Sequence, residues 1–173
     1  GRRLAEVLSP FRTRIIATDY FPIDKPECVS ELWTADQLPR LLAESDIVIL
    51  CVPLNAQTTG MIAAPQFAKM KPGTILINVA RGPVVVERDL VAALTTGHLA
   101  GAGLDVTEVE PLPVDSPLWD LPNVMITPHV GAQAARRVDD STNLIYTNLQ
   151  RYLAGQTPLN LVDKALGFPD RRR

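Results

Sequence analysis

Short apolar runs alternate with helical segments along this 173-residue chain, and this alternation constrains its fold more than any other feature. The runs that we interpret as strands end at Asp19, Cys51, Val79, Val106 and Thr127. Between them lie segments with helical spacing, such as residues 87–95, which Gly97 ends. Strands joined by helical crossovers form parallel sheets, and wholly apolar strands are expected where helices cover both faces. The sequence therefore predicts an α/β fold with a doubly wound parallel sheet, a Rossmann-type domain.

The remaining segments are predicted from spacing and from breaker residues. Residues 20–34 contain two prolines and are predicted to form a loop. Thr34 is predicted to cap a helix through Leu38, Leu41 and Leu42. The segment 132–153 is predicted to be one long helix, which leaves the run ending at Thr127 as the last strand.

Composition excludes several classes of protein. Seventeen basic residues face nineteen acidic ones, a balance that does not favour binding to nucleic acid or to an anionic membrane. We find neither a signal peptide nor an apolar run long enough to span a membrane. Cys28 and Cys51 are too few for a disulfide framework, and Cys51, at the end of an apolar run, is expected to be a buried free thiol. These features indicate a cytoplasmic protein.

Four side chains with chemical potential follow the ends of predicted strands: Arg81, Asp105, Glu110 and His129. In open α/β sheets, ligands bind in the crevice beyond the carboxyl ends of the strands. A guanidinium can bind a carboxylate through two parallel hydrogen bonds, and an imidazolium can give a proton to a carbonyl oxygen. A nearby carboxylate favours the imidazolium. The set suits chemistry on a small anionic carbonyl compound, and no cluster of His and Cys at ligand spacing predicts a metal site.

Asp19 ends a strand roughly twenty residues after Gly1. In a dinucleotide site, the carboxylate that binds the ribose follows the glycine loop at about this distance. In this interpretation Gly1 is the last glycine of that loop, and the first strand and the other glycines precede it. A strand-ending Asp is also an ordinary turn or helix cap, so both roles stay open. Because Tyr20 and not a basic residue follows Asp19, the carboxylate would repel a 2′-phosphate, which favours NAD over NADP.

From Asp46 to Gly131 the chain resembles the nucleotide-binding domain of the D-isomer-specific 2-hydroxyacid dehydrogenases. The resemblance rests on several segments that occur in the family's order and spacing. They are Val52-Pro53-Leu54 with Thr58, Met70-Lys71-Pro72-Gly73, Asn78-Val79-Ala80-Arg81-Gly82, Ala102-Gly103-Leu104-Asp105-Val106, Glu110-Pro111-Leu112-Pro113 and Thr127-Pro128-His129-Val130-Gly131. The chain departs from the family at Thr107, where an aromatic residue is common, and at Ala134, where Ser or Thr is common.

The resemblance implies an oxidoreductase that transfers a hydride between NAD(H) and a 2-hydroxyacid/2-oxoacid pair. It implies three catalytic residues: Arg81 binds the substrate carboxylate, His129 is the general acid/base, and Glu110 is its partner. It also places Asp105 near the nicotinamide carboxamide. Together with the two residues inferred from spacing, the residues expected at the cofactor are Gly1, Asp19, Val52, Pro53, Thr58, Ala80, Arg81, Asp105, His129 and Gly131.

The resemblance further implies that residues 1–155 form an NAD-binding domain that is incomplete at its N-terminus. Residues 156–173 would be a tail returning toward a substrate-binding domain. We expect a homodimer for the full-length protein and an inactive chain for residues 1–173 alone. The alternative is an NAD-sensing scaffold or co-regulator, because a fold does not fix a function.

Overall fold

The structure is a computed structural model that describes residues 1–131 and 133–169. Five α-helices occur in the described residues: α1 (Arg2–Leu8), α2 (Leu38–Glu44), α3 (Ala64–Phe67), α4 (Glu87–Thr95) and α5 (Arg137–Leu153). The strands are β1 (Ile16–Asp19), β2 (Glu31–Thr34), β3 (Ile47–Leu50), β4 (Thr74–Asn78), β5 (Leu99–Leu104), β6 (Val124–Ile126), β7 (Val162–Asp163) and β8 (Phe168–Pro169).

The strands form two parallel sheets and one small hairpin. β1 pairs with β2, and β3, β4, β5 and β6 pair side by side in chain order, all of them parallel. β7 and β8 form an antiparallel pair. The two parallel sheets have the strand order that the doubly wound fold has on either side of its first strand. The parallel strands, with α3 and α4 connecting β3, β4 and β5, confirm the predicted fold class.

The main core lies on one face of the four-stranded sheet. Alternate strand residues such as Leu50, Leu76 and Leu104 are buried there with Phe67 of α3 and Leu90 of α4. The alternation follows from strand geometry, because successive side chains point to opposite faces. On the other face, three apolar strand residues are exposed: Ile47, Ile75 and Met125. The expectation that both faces are covered is therefore wrong for the described residues.

Several helix predictions are confirmed. α4 has the predicted bounds, and Gly97, two residues beyond its end, has φ +74° and allows the chain to turn away. α2 carries Pro39 in its first turn, where the missing N–H costs nothing. Thr34 does not cap this helix, because the 3₁₀ turn Ala35–Gln37 lies between them and Gln37 directly precedes the helix. No helix in the described part of the chain is long and apolar enough to cross a membrane.

Three other predictions are corrected by tertiary contacts. Residues 31–34, predicted as loop, form β2 because their backbone pairs with β1 from Ile16↔Glu31 to Asp19↔Thr34. Cys51 is a free thiol but exposed, because β3 ends at Leu50 and the chain leaves the covered face there. The long helix begins at Arg137, because the Gln133 amide donates to the Val130 carbonyl in a turn. Ala132, the predicted first residue of that helix, lies outside the described residues.

Candidate active site

Three neighbouring strands deliver two of the predicted catalytic residues, Arg81 and His129, and the predicted cofactor residue Asp105 to one edge of the sheet. Asn78, Leu104 and Ile126 are the last paired residues of β4, β5 and β6, and they lie in register. Asp105 is the next residue after Leu104, and Arg81 and His129 each lie three residues beyond the end of their strand. The side chains therefore leave the sheet at its carboxyl edge, where ligands bind in open α/β folds.

Asn78 shapes the loop that presents Arg81. Its side chain is 1% exposed, its Oδ1 accepts a hydrogen bond from the Ala80 amide (3.0 Å), and its Nδ2 donates to the Arg81 carbonyl (3.2 Å). Arg81 itself is exposed, and its Nη1 donates to the Ala80 carbonyl at 2.6 Å. A guanidinium carries five N–H donors, so most of them are left for an anionic ligand.

A close backbone contact fixes the Arg81 loop against the next loop. An ideal Cβ built on Gly82 would lie 1.6 Å from the Thr107 carbonyl oxygen and 2.7 Å from the Glu108 amide nitrogen. Only a residue without a side chain fits there. The contact sets the position of Arg81 relative to residues 107–110, which carry Glu110.

Glu110 and His129 form a hydrogen-bonded pair. Glu110 Oε2 lies 2.7 Å from His129 Nδ1, and the other carboxylate oxygen, Oε1, accepts from the Thr107 amide (3.1 Å). The Thr107 hydroxyl donates to the Val109 carbonyl at 2.8 Å, so it stabilises this loop internally. With Nδ1 bound to a carboxylate, the ring is oriented and Nε2 is left as the nitrogen that can exchange a proton with a ligand. Both side chains are partly exposed, so a ligand can reach them.

Asp105 is buried beneath the His129 loop, with 8% exposure. Its Oδ1 accepts from the Thr127 hydroxyl (2.6 Å) and the Val130 amide (2.8 Å), and its Oδ2 accepts from the Gly131 amide (2.7 Å). Burial by itself raises the pKa of Asp105. These hydrogen bonds and the charge of His129 lower it by more, so the pKa of Asp105 lies below its ordinary value. Asp105 is therefore ionised at neutral pH.

The predicted ribose carboxylate takes part in a turn. Asp19 is the last residue of β1, and its Oδ1 accepts from the Phe21 amide (3.0 Å). This is the turn-capping role that the sequence left open. A carboxylate has two oxygens, so a contact from Oδ2 to a ribose hydroxyl is compatible with the turn. Gly1 precedes α1 and its carbonyl accepts from the Ala5 amide at 3.0 Å.

The loop after β3 contains the other residues predicted to line the cofactor. Val52 and Pro53 follow the strand, and the Thr58 hydroxyl closes the loop by donating to the Pro53 carbonyl (2.6 Å) and accepting from the Asn55 amide (2.9 Å). The Asn55 side chain donates to the Leu166 carbonyl (3.1 Å), in the turn between β7 and β8.

The β7–β8 hairpin also contacts the end of β1. The Phe168 ring lies 6.1 Å from the Tyr20 ring and 5.6 Å from the Phe21 ring, between centroids, in edge-to-face geometry. Residues 162–169 therefore lie against the end of β1 and the loop after β3. The assignment of residues 156–173 to a tail that returns to another domain stays a prediction.

Two residues of the matching segments were assigned no function of their own from the sequence: Asn78, which orders the Arg81 loop, and Thr127, which binds Asp105. The signal was a polar residue at or just after the end of an apolar strand, a position where Asn and Thr commonly bond to the backbone or to a neighbouring loop. Within residues 1–131 and 133–169, no group of three or more His, Cys, Asp or Glu side chains is arranged to hold a metal ion.

Known proteins share this sequence pattern. The family described as D-isomer specific 2-hydroxyacid dehydrogenase, NAD binding domain, matches residues 1–131. The glyoxylate/hydroxypyruvate reductase B of Pectobacterium atrosepticum is 48% identical over 126 residues, which are 73% of this chain and 39% of that protein. Curated relatives are longer, and this chain spans 55% or 39% of the length of two that it matches.

Solved structures share the fold. A D-isomer specific 2-hydroxyacid dehydrogenase from Xanthobacter autotrophicus Py2, in complex with NADPH and MES, is 42% identical with a TM-score of 0.90, over 97% of this chain and 68% of that one. An NADPH-dependent glyoxylate/hydroxypyruvate reductase from Sinorhizobium meliloti, in complex with NADP and sulfate, is 32% identical with a TM-score of 0.88, over 97% of this chain and 54% of that one. The chain therefore belongs to the D-isomer specific 2-hydroxyacid dehydrogenase family and carries its NAD(P)-binding domain.

Proposed function

We propose that the protein to which these residues belong reduces a small 2-oxoacid with a nicotinamide cofactor, and that Arg81, Glu110 and His129 are its catalytic residues. The observation that carries the proposal is the 2.7 Å contact between Glu110 and His129 at the sheet edge that also presents Arg81. Reduction needs a carboxylate ligand, a proton donor for the carbonyl oxygen and a group that keeps this donor charged, and the three side chains supply these functions.

The proposed proton transfer uses His129 Nε2. The nicotinamide, when bound, supplies the hydride that adds to C2 of the oxoacid. Arg81 binds the substrate carboxylate and so fixes the carbonyl relative to His129. The imidazolium of His129 polarises the carbonyl oxygen and gives it the Nε2 proton, while the Glu110 carboxylate on Nδ1 stabilises the charged ring before transfer.

We propose glyoxylate or hydroxypyruvate as the substrate, because a relative of 48% identity is a glyoxylate/hydroxypyruvate reductase. The test is the loss of NADH or NADPH absorbance with each oxoacid, using the product of the longest reading frame that encodes these residues. Turnover that disappears in His129→Ala supports the enzyme. Cofactor binding without turnover of any 2-oxoacid contradicts it and supports the NAD-sensing scaffold.

We propose NAD as the preferred cofactor. Asp19 supports this preference, because a carboxylate at the end of β1 repels a 2′-phosphate. The two solved neighbours contain NADPH and NADP, so the competing cofactor is well defined. The measurement is kcat/KM with each cofactor under the same conditions. A higher value with NADPH would contradict the role given to Asp19.

We propose a cytoplasmic homodimer, with α5 as part of the interface. No residue of α5 is buried, and it exposes a stripe of apolar side chains that recurs at helical spacing: Val138, Ile145, Leu149 and Tyr152. Exposed apolar surface of this kind marks contacts with another protein surface. Light scattering measures the assembly, and a monomer at micromolar concentration would contradict the proposal.

A further inference from the structure

We infer that Asp105 is a positioning residue, which holds His129 in the conformation that meets Glu110. This inference rests on the proposed role of His129 as the acid/base group. It adds a function to Asp105 that is separate from any contact with the nicotinamide. The carboxylate acts through the backbone of the loop on both sides of His129.

The hydrogen bonds to Asp105 bracket His129 along the chain. Thr127 donates its hydroxyl from the N-terminal side, and Val130 and Gly131 donate their amides from the C-terminal side. All three donors lie within 2.8 Å of a carboxylate oxygen, the range of charge-assisted hydrogen bonds. The carboxylate is buried, so water competes little for these donors.

The bracketed residue has an uncommon backbone. His129 has φ +54°, a left-handed conformation that residues other than glycine seldom adopt. It persists only where the surroundings impose it. The bonds from Asp105 to residues 127, 130 and 131 constrain this loop, together with the His129 amide, which donates to the Thr127 carbonyl at 2.9 Å. The Glu110 contact depends on the resulting direction of the ring.

The geometry requires a carboxylate at this position. An Asn would offer one acceptor oxygen and an NH₂ group, which would face either the Gly131 amide or the Thr127 and Val130 donors. At least one donor would lose its acceptor and meet another donor. Gly131 leaves little room for adjustment, because an ideal Cβ on it would lie 2.7 Å from Asp105 Oδ2.

Asp105 Oδ2 accepts only the Gly131 amide among the described contacts, so a nicotinamide carboxamide could donate to its second lone pair. The two roles give different kinetics. A residue that only binds the nicotinamide changes the KM for the cofactor. A residue that positions His129 changes kcat, because a displacement of about 1 Å at the reacting atoms costs about a hundredfold.

The experiment compares Asp105→Asn with two variants of its partner, Thr127→Val and Thr127→Ser, in the protein from the longest reading frame. We expect kcat to fall by about a hundredfold in Asp105→Asn, with the KM for cofactor within about threefold. Thr127→Val should lose a smaller part of kcat, and Thr127→Ser, which keeps the hydroxyl, should restore it. Thr127→Val retains the carboxylate and two of its donors, so it tests the inference even if Asp105→Asn does not fold.

NMR gives a readout that does not need turnover. Amide protons bonded to a carboxylate resonate downfield, so the signals of Val130 and Gly131 should move upfield in Asp105→Asn and stay in place in Thr127→Ser. Unchanged amide signals would overturn the inference, and so would a raised cofactor KM with unchanged kcat. If the wild-type protein reduces no 2-oxoacid, the proposed function fails, and the amide signals still decide whether Asp105 holds the loop.

Discussion

Replacing Gly82 by Ala tests whether the contact between the Arg81 loop and the Thr107 loop organises the site. The new Cβ would lie 1.6 Å from the Thr107 carbonyl oxygen, and backbone cannot rotate out of the way as a side chain can. Overpacking of a well-packed site costs typically 1–3 kcal/mol. Because the overlap is deep and involves backbone, we expect Gly82→Ala to lower the free energy of unfolding by about 3 kcal/mol, the upper end of this range.

The assay is equilibrium unfolding in urea, with Gly97→Ala as the control. Gly97 has φ +74° and nothing within 4 Å of its ideal Cβ, so this variant carries backbone strain of about 1–2 kcal/mol without any overlap. Gly82→Ala should also lower kcat/KM under conditions where it is folded, since Arg81 moves relative to Glu110. Unfolding of Gly82→Ala at the wild-type urea concentration would refute the reasoning.

Three further outcomes are expected. Arg81→Ala should mainly raise the KM for the oxoacid, whereas His129→Ala should lower kcat for reduction by about 10²–10⁴-fold; a loss of less than about threefold would contradict the acid role. Asp19→Ala should narrow the ratio of kcat/KM between NADH and NADPH, and an unchanged ratio would assign Asp19 to the turn alone. The pKa of Asp105 is lower in the folded protein than in the unfolded chain, where it is about 3.9. Its ionisation therefore stabilises the fold above about pH 3.9, and this stability is lost as the pH falls through the folded pKa. Acid unfolding measured by circular dichroism should therefore be less steep over that range in Asp105→Asn than in the wild type.

The sequence predicted the parts of the fold that depend on local pattern. β3, β4, β5 and α4 are apolar or amphipathic segments bounded by breaker residues, and their positions follow from periodicity. β2 could not be found in this way, because four residues between prolines show no period and only the pairing with β1 makes them a strand. The exposure of Cys51 has a similar cause, since an apolar run does not show where the chain leaves the covered face.

The site was predictable as a set of residues but not as a geometry. The ends of apolar strands located Arg81, Asp105 and His129, because parallel strands deliver their carboxyl ends to one edge. The sequence did not show that Asp105 binds the loop on both sides of His129, since hydrogen bonds across strands depend on register. It also did not show that Gly82 lies on the Thr107 backbone. These contacts set the relative positions of the catalytic side chains.

The exposed strand edges lead to a last prediction, for residues 1–173 expressed alone. In the described residues β1 pairs only with β2, and β3 pairs only with β4, so each has an edge with backbone groups unpaired within a sheet. The same sheet also exposes apolar side chains: Ile47, next to the β3 edge, is 55% exposed and Met125 is 70% exposed. Edges and apolar faces of this kind favour association between chains over a stable monomer.

We therefore expect residues 1–173 alone to unfold with low cooperativity, to aggregate on heating and to bind NADH weakly. A domain has a free energy of unfolding of only ~5–15 kcal/mol. A few unpaired backbone groups and exposed apolar side chains are therefore enough to destabilise residues 1–173. Calorimetry measures both the melt and the NADH affinity, and the protein from the longest reading frame is the comparison. A sharp, reversible melt with micromolar affinity for NADH would contradict this prediction and mean that β1 and β3 need no further partner. In that case α2 would be what joins the two sheets, since it packs on β1 and adds Leu42 to the core beside β3.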